Sequence, residues 1–172
     1  MGSNISVDMK KTPAFRCETH SEKESLAVAK TLGHLLRPGD WIALIGELGT
    51  GKTVFAQGLA EALGCREPAR SPTFVLIQTY RPKSGGRATM HHVDLFRLPP
   101  GEIPCLAWED LLSDDAVTVV EWAEKAMALW PPFCLPVHID HLGEDRRAFR
   151  FYSVGDRSAE IVRALKSKKA VS

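Results

Sequence analysis

The chain has few cysteines, almost no excess charge and no long apolar run. Its 4 cysteines, Cys17, Cys65, Cys105 and Cys134, stand far apart with no C-x-x-C spacing. This excludes the dense disulfide framework of small secreted domains and reads as reduced thiols. Against 22 Lys+Arg stand 21 Asp+Glu, a formal charge of +1, so no global field draws the protein to DNA or an anionic membrane. No apolar run approaches the ~18 residues that span a bilayer, and "MGSNISVDMKKT" lacks the apolar core of a secretory signal. The expected location is therefore cytoplasmic. Internal repeats and low-complexity blocks are also missing, and 172 residues suffice for one domain that buries its core without disulfides or structural metal.

What the chain does have is periodicity. Residues 1–14 are polar and aperiodic and are read as a flexible N-terminal segment; residues 167–172 are read as a basic tail, which leaves 15–166 as a single domain. In "SEKESLAVAKTLGHLLRPGD" the residues Leu26, Ala29, Leu32, Leu35 and Leu36 recur near helical period, Ser21 and Glu24 have capping-box spacing, and Pro38-Gly39 is a stop signal. The run "WIALI", 41–45, predicts a strand buried on both faces, and "KTVFAQGLAEALG" predicts a helix with Gly64 as its C-cap. "TFVLIQTYR" and "GGRATMHHVDLF" suggest a hairpin around Lys83–Gly86, "AWEDLLSDD" a short helix, and "AVTVVEW" another buried strand. "LPVHIDHL" and "RRAFRFYSV" flank the polar "GEDR" as a second hairpin, and a last helix spans about 158–166. The expected fold is α/β, a mixed sheet flanked by helices.

Between the first apolar strand and the helix after it lies "GELGTGKT", Gly46, Glu47, Leu48, Gly49, Thr50, Gly51, Lys52 and Thr53, which matches the phosphate-loop pattern G-x-x-x-x-G-K-[ST] in full. Backbone N–H groups and the positive end of a helix surround phosphates in such a loop, and glycines let the backbone approach. Lys52 is expected to pair with the β- and γ-phosphates of a nucleoside triphosphate, and the Thr53 hydroxyl to bind Mg²⁺.

A site of this kind needs acids to hold the cation and orient water. Asp94 ends "MHHVD" and Glu121 ends "AVTVVE", so each can emerge at the C-terminal edge of a strand, where ligands sit in open α/β sheets. Thr73, in "RSPTF", is a candidate to sense a terminal phosphate, although Ser-Pro-Thr by itself reads as a turn leading into a strand. The adjacent His91 and His92 do not form a transition-metal site on this reading, because strand neighbours point to opposite faces. The same holds for His138 and His141. The metal expected is Mg²⁺ carried in with the nucleotide.

In this order and spacing, "GELGTGKT", "SPTF", "HHVDLFRL" and "VVEWAE" resemble the TsaE family, the small bacterial ATPases of tRNA threonylcarbamoyladenosine biosynthesis. The resemblance spans roughly residues 16–155. It implies a P-loop NTPase-like, three-layer αβα fold with parallel and antiparallel strands. It also implies a TsaB–TsaD protein pair as partners in modifying N6 of adenosine 37 in tRNAs reading codons that begin with A, with tRNA met only through the complex and with no membrane or DNA partner. The implied activity is slow Mg-dependent ATP hydrolysis coupled to that pair. By the same resemblance Lys52, Thr53, Thr73, Asp94 and Glu121 carry the chemistry, with Thr53, Glu121 and Asp94 around magnesium and the two acidic roles exchangeable. Trp122 is the aromatic neighbour of the nucleotide, Arg146 an arginine close to it, and Arg97 part of the motif.

The departures are Phe96 for a common tyrosine, Glu47 for a common aspartate, and "PPGEIPCLAWEDLL" without the usual glycine before its helix. Two other readings share the loop: a small-molecule kinase, for which "GEDRR" is the one candidate lid, and a nucleotide-gated binding module in which hydrolysis is incidental. Adenine rather than guanine follows from the resemblance and from the absence of an [NT]-K-x-D stretch.

Overall fold

The apolar runs Trp41–Ile45 (β2) and Ala116–Glu121 (β5) lie side by side, parallel, near the centre of a seven-stranded sheet. The computed structural model describes residues 12–70, 76–106, 108–112 and 114–169. The remaining elements in chain order are β1 (Phe15–Thr19), α1 (Glu22–Gly33), α2 (Lys52–Leu63), β3 (Ile77–Tyr80), β4 (Thr89–Asp94), α3 (Trp108–Leu111), β6 (Leu135–His141), β7 (Arg147–Phe151) and α4 (Asp156–Lys169). Short 3-10 segments occupy Ile103–Cys105 and Ala123–Leu129. The sheet order is β1-β7-β6-β2-β5-β4-β3. Strands β6, β2, β5 and β4 run parallel, while β7, β1 and β3 pair antiparallel at the flanks.

Every residue of β2 and β5 is buried because helices cover both faces, as parallel strands require. On one face Val28 and Leu32 of α1, Phe55 and Leu59 of α2, and Ile161 and Leu165 of α4 pack on Ile42, Leu44 and Val119. On the other, Trp41, Ala43 and Val120 are covered by Ile103, Leu111 and Trp130. The result is the three-layer α/β arrangement with a mixed sheet expected above. Among the described residues no helix is long and apolar enough to cross a membrane.

Helix α1 starts as its sequence dictates: the Ser21 hydroxyl accepts from the Glu24 amide at 3.2 Å, and Glu24 accepts from the His20 amide at 2.8 Å. It ends at Gly33 rather than at Pro38-Gly39, the last turn tightening through Leu35 N–H to the Leu32 carbonyl. Here α1 crosses α2 at close range. A Cβ on Gly33 would stand 2.6 Å from Ala62 Cβ, and one on Gly58 2.5 Å from Ala29 Cβ. Small residues therefore set the helix separation.

Strand β1 was not anticipated. "FRCET" is short and carries Arg16 and Glu18, and its stability as an edge strand comes from antiparallel pairing with β7, Phe15 opposite Phe151. Helix α4 extends beyond 158–166 at both ends, so Ser167–Lys169 are helical rather than tail; lysine is a good helix former and adds turns to a helix that packing has already nucleated.

The start of β2 is tied to α4 by one ion pair. Arg157 donates its Nε to Asp40 Oδ1 at 2.7 Å and an Nη to Oδ2 at 2.6 Å, and Asp40 also accepts from the Arg37 amide at 2.8 Å. The pair is nearly buried and holds the guanidinium pKa well above its ordinary value, chiefly through the Asp40 hydrogen bonds. Among the described residues, Asp40→Ala would leave that largely buried cation with only the exposed Glu160, 2.9 Å from Nη1, and the Leu35 carbonyl at 3.0 Å. A loss of about 3 kcal/mol in denaturant-unfolding stability is expected; a loss below about 0.5 kcal/mol would show the pair to be incidental.

Candidate functional site

The site forms where β2 gives way to α2. Gly46, at φ +147°, leaves the strand with no room for a side chain: a Cβ there would lie 2.4 Å from the Ile139 carbonyl oxygen and 2.9 Å from Thr50 Oγ1. Gly46→Ala is accordingly expected to destabilise the fold by on the order of 2 kcal/mol or more, read from the unfolding midpoint. The loop then turns back, with the Thr50 amide and hydroxyl both directed at the Glu47 carbonyl at 3.4 and 3.0 Å. Gly51, at φ +97°, caps α2 without a side-chain hydrogen bond. The first amides of α2 thus have no capping side chain at the helix's positive end.

Lys52 is 4% exposed. Its ammonium donates to the carbonyls of Gly46 at 2.5 Å and Glu47 at 2.8 Å and lies 3.9 Å from the centroid of the Trp122 ring. Burial pushes the Lys52 pKa down, opposed by the carboxylates of Glu121, Glu124, Asp94 and Glu47. The lysine is held on its own loop, beside a bank of negative charge.

That bank comes from the parallel register of β4 on β5, which sets Asp94 opposite Glu121 at the C-terminal edge of the sheet. Glu121 is 2% exposed. One of its oxygens, Oε2, accepts from Thr53 Oγ1 at 3.1 Å, and the other, Oε1, meets His92 Nε2 at 2.8 Å. Asp94 Oδ1 accepts from the Phe96 amide at 2.9 Å, which bends the chain away from β4. Trp122 adopts left-handed backbone, φ 57°, and its ring packs on Phe96 with centroids 4.8 Å apart. Behind them Lys125 donates to the carbonyls of Leu95, Phe96 and Leu98 and pins the turn. Lys52, Thr53, Asp94, Glu121, Trp122 and Arg147 border a cleft of about 430 Å³.

The structure therefore brings together Lys52, Thr53, Asp94, Glu121 and Trp122, which lie up to 70 residues apart in the chain (52 to 122). Arg146 does not border this cleft. It points to Glu18, 3.4 Å away, and the arginine at the loop is Arg147, whose Nε donates to the Thr50 carbonyl at 3.0 Å. The reason is position. Arg146 falls in the β6–β7 turn, while Arg147 opens β7 and faces the loop. Thr73 lies outside the described residues. His91 and His92 do point to opposite faces: His91 Nδ1 pairs with Thr79 Oγ1 at 3.0 Å, and His92 turns inward to Glu121. Reading by segments missed His92 and Lys125. The signal available for His92 was its i, i+2 relation to Asp94, which puts both on one face of β4.

The donor set suits a phosphate anion with a hard cation. Amides, a helix N-terminus and a lysine face the loop's interior, and a hydroxyl and two carboxylates offer oxygen ligands of the kind magnesium takes. Among the described residues no three His, Cys, Asp or Glu side chains form a closed metal cage, so a cation here would complete its shell from a bound ligand and water.

Comparison with known proteins converges on one family. The family model described as threonylcarbamoyl adenosine biosynthesis protein TsaE matches residues 19–149. The chain is 34% identical over 143 residues to the tRNA threonylcarbamoyladenosine biosynthesis protein TsaE of Bacillus subtilis (strain 168), covering 83% of this chain and 88% of that one. A Mycobacterium bovis protein of the same description is 44% identical over a shorter stretch of 108 residues, 59% of this chain and 64% of that one. The crystal structure of Bacillus subtilis YdiB is similar with a TM-score of 0.77 at 28% identity, over 90% of this chain and 95% of that one. With the matched region running from the end of β1 into β7 and carrying the loop and both acids, the chain belongs to the TsaE family.

Proposed function

We propose that this protein binds Mg-ATP in the cleft at the β2–α2 junction and hydrolyses it in tRNA threonylcarbamoyladenosine biosynthesis, as the ATP-using subunit beside a TsaB–TsaD pair in the cytoplasm. The observation that carries the reading is the convergence of Lys52, Thr53, Asp94 and Glu121 on one cleft at the N-terminus of α2. The loop amides and Lys52 bind the triphosphate, Lys52 exchanging the Gly46 and Glu47 carbonyls for phosphate oxygens. Magnesium, when bound, neutralises charge on the β- and γ-phosphates, and Thr53 and Glu121 are the residues that would hold it.

The Thr53–Glu121 hydrogen bond supports Glu121 for the cation side. Asp94, one strand further out, is then the group that orients water and takes up its proton. Trp122 and Phe96 form an apolar wall that limits bulk water at the reacting end. Arg147 is committed to backbone, donating to the carbonyls of Thr50, Glu144 and Arg146. It braces the loop from outside, and the charge stabilisation of a free arginine, worth roughly 10³- to 10⁵-fold in related hydrolases, is left to a partner. Steady-state ATP turnover of the purified chain, with and without the TsaB–TsaD pair, tests this. Slow turnover alone and a marked rise with the pair are expected, and rapid turnover indifferent to the pair would overturn the coupling.

A further inference from the structure

We propose that His92 is a positioning residue for Glu121, locking the plane of its carboxylate so that Oε2 stays turned to Thr53 and the cleft. The proposal rests on reading the cleft as a Mg-ATP site. Parallel pairing places His92 opposite Val119, one alternation behind the Asp94–Glu121 pair and on the same face of the sheet. From there its Nε2 reaches Glu121 Oε1 at 2.8 Å.

The surroundings say what this nitrogen is for. His92 is 0% exposed. Its neighbour along that face of β4 is the buried Met90, and the Tyr80 ring stands 6.3 Å away. Among the described residues Nδ1 has no hydrogen-bond partner. An apolar side chain would fill this core position and remove the unmatched Nδ1, but it would leave Glu121 Oε1 without this partner, so the imidazole is accounted for by that contact and not by packing. Among the described residues the polar contact its ring makes to another side chain is the one to Glu121. Because a carboxylate only accepts, Nε2 is the ring nitrogen that donates in this contact.

A second anchor matters because the terminal torsion of glutamate is soft and roughly two-fold. A single bond from Thr53 would let the carboxylate swing about that contact. With His92 on Oε1 and Thr53 on Oε2, both oxygens are held and the carboxylate has one orientation. His92 does not itself line the cleft and reaches it through Glu121, which does.

Four variants and one spectrum test this. His92→Leu removes the donor, and His92→Gln offers an amide N–H at about the reach of Nε2. H92L is expected to lower kcat and to raise the magnesium half-saturation, each by roughly 10- to 100-fold, with little change in KM for ATP; H92Q should recover most of both. In the double variant H92L/E121Q no loss beyond that of E121Q is expected, since one residue acts through the other. On the nucleotide-free protein, two-bond ¹H–¹⁵N imidazole spectra should show His92 as the Nε2–H tautomer, a readout independent of activity and of whether H92L folds. An Nδ1–H tautomer, H92L with wild-type kcat and magnesium dependence, or H92Q as impaired as H92L would overturn the proposal. If the unmodified protein neither bound nor hydrolysed Mg-ATP, the cleft reading itself would fall instead.

Discussion

Lys52→Ala is expected to abolish nucleotide binding, with ATP affinity falling by at least about 10²-fold and turnover lost with it. The magnitude follows from removing a charge-assisted donor in a largely water-excluded site, where such contacts are worth far more than in water. Among the described residues Lys52 is the one ammonium lining the cleft, and the four carboxylates of Glu121, Glu124, Asp94 and Glu47 act on it. Deleting it leaves a triphosphate facing negative charge across the cleft. The fold should persist, because the side chain is held by two loop carbonyls rather than by core packing. The check is the shift in thermal midpoint on adding Mg-ATP, which measures binding by linkage. Wild-type protein should be stabilised and K52A should not; an equal shift in both would place the nucleotide elsewhere.

The second large effect separates the two acids. Glu121→Gln is expected to reduce turnover by roughly 10²- to 10³-fold and to raise the magnesium requirement, while ATP binding measured without the metal is retained. Asp94→Asn is expected to lower kcat to a similar extent with the magnesium dependence unchanged. The distinction comes from position: Glu121 shares a hydrogen bond with Thr53, and Asp94 sits one strand outward and is bonded to the Phe96 amide. If both variants changed the magnesium dependence alike, the acids would share the cation. Should E121Q support normal tRNA modification with no hydrolysis, ATP would work by binding alone, which is the nucleotide-gated module read from the same loop.

Much of this molecule is written in contiguous stretches. The loop 46–53, the buried runs of β2 and β5, the capping box of α1, the Gly64 cap of α2 and the two hairpins each depend on residues within one or two turns of each other, so period and turn chemistry expose them. The acids at the ends of β4 and β5 were legible for the same reason, as carboxylates closing apolar runs.

What needed the tertiary structure is everything that depends on register between distant strands. Strand alternation says that His92 and Asp94 share a face, but only the pairing of β4 on β5 shows that Glu121 lies across from them. Only the fold shows that Arg147, next to Arg146, is the arginine bonded to the loop, and β1 has no identity apart from β7. The sequence alone determined that a strand, a glycine loop bearing Lys52 and Thr53, and a helix follow one another, because those preferences are local and steric. The fold decided which carboxylate meets Thr53, which histidine steadies it and which arginine braces the loop, because such contacts join residues that only long-range β pairing and helix packing bring within hydrogen-bond reach.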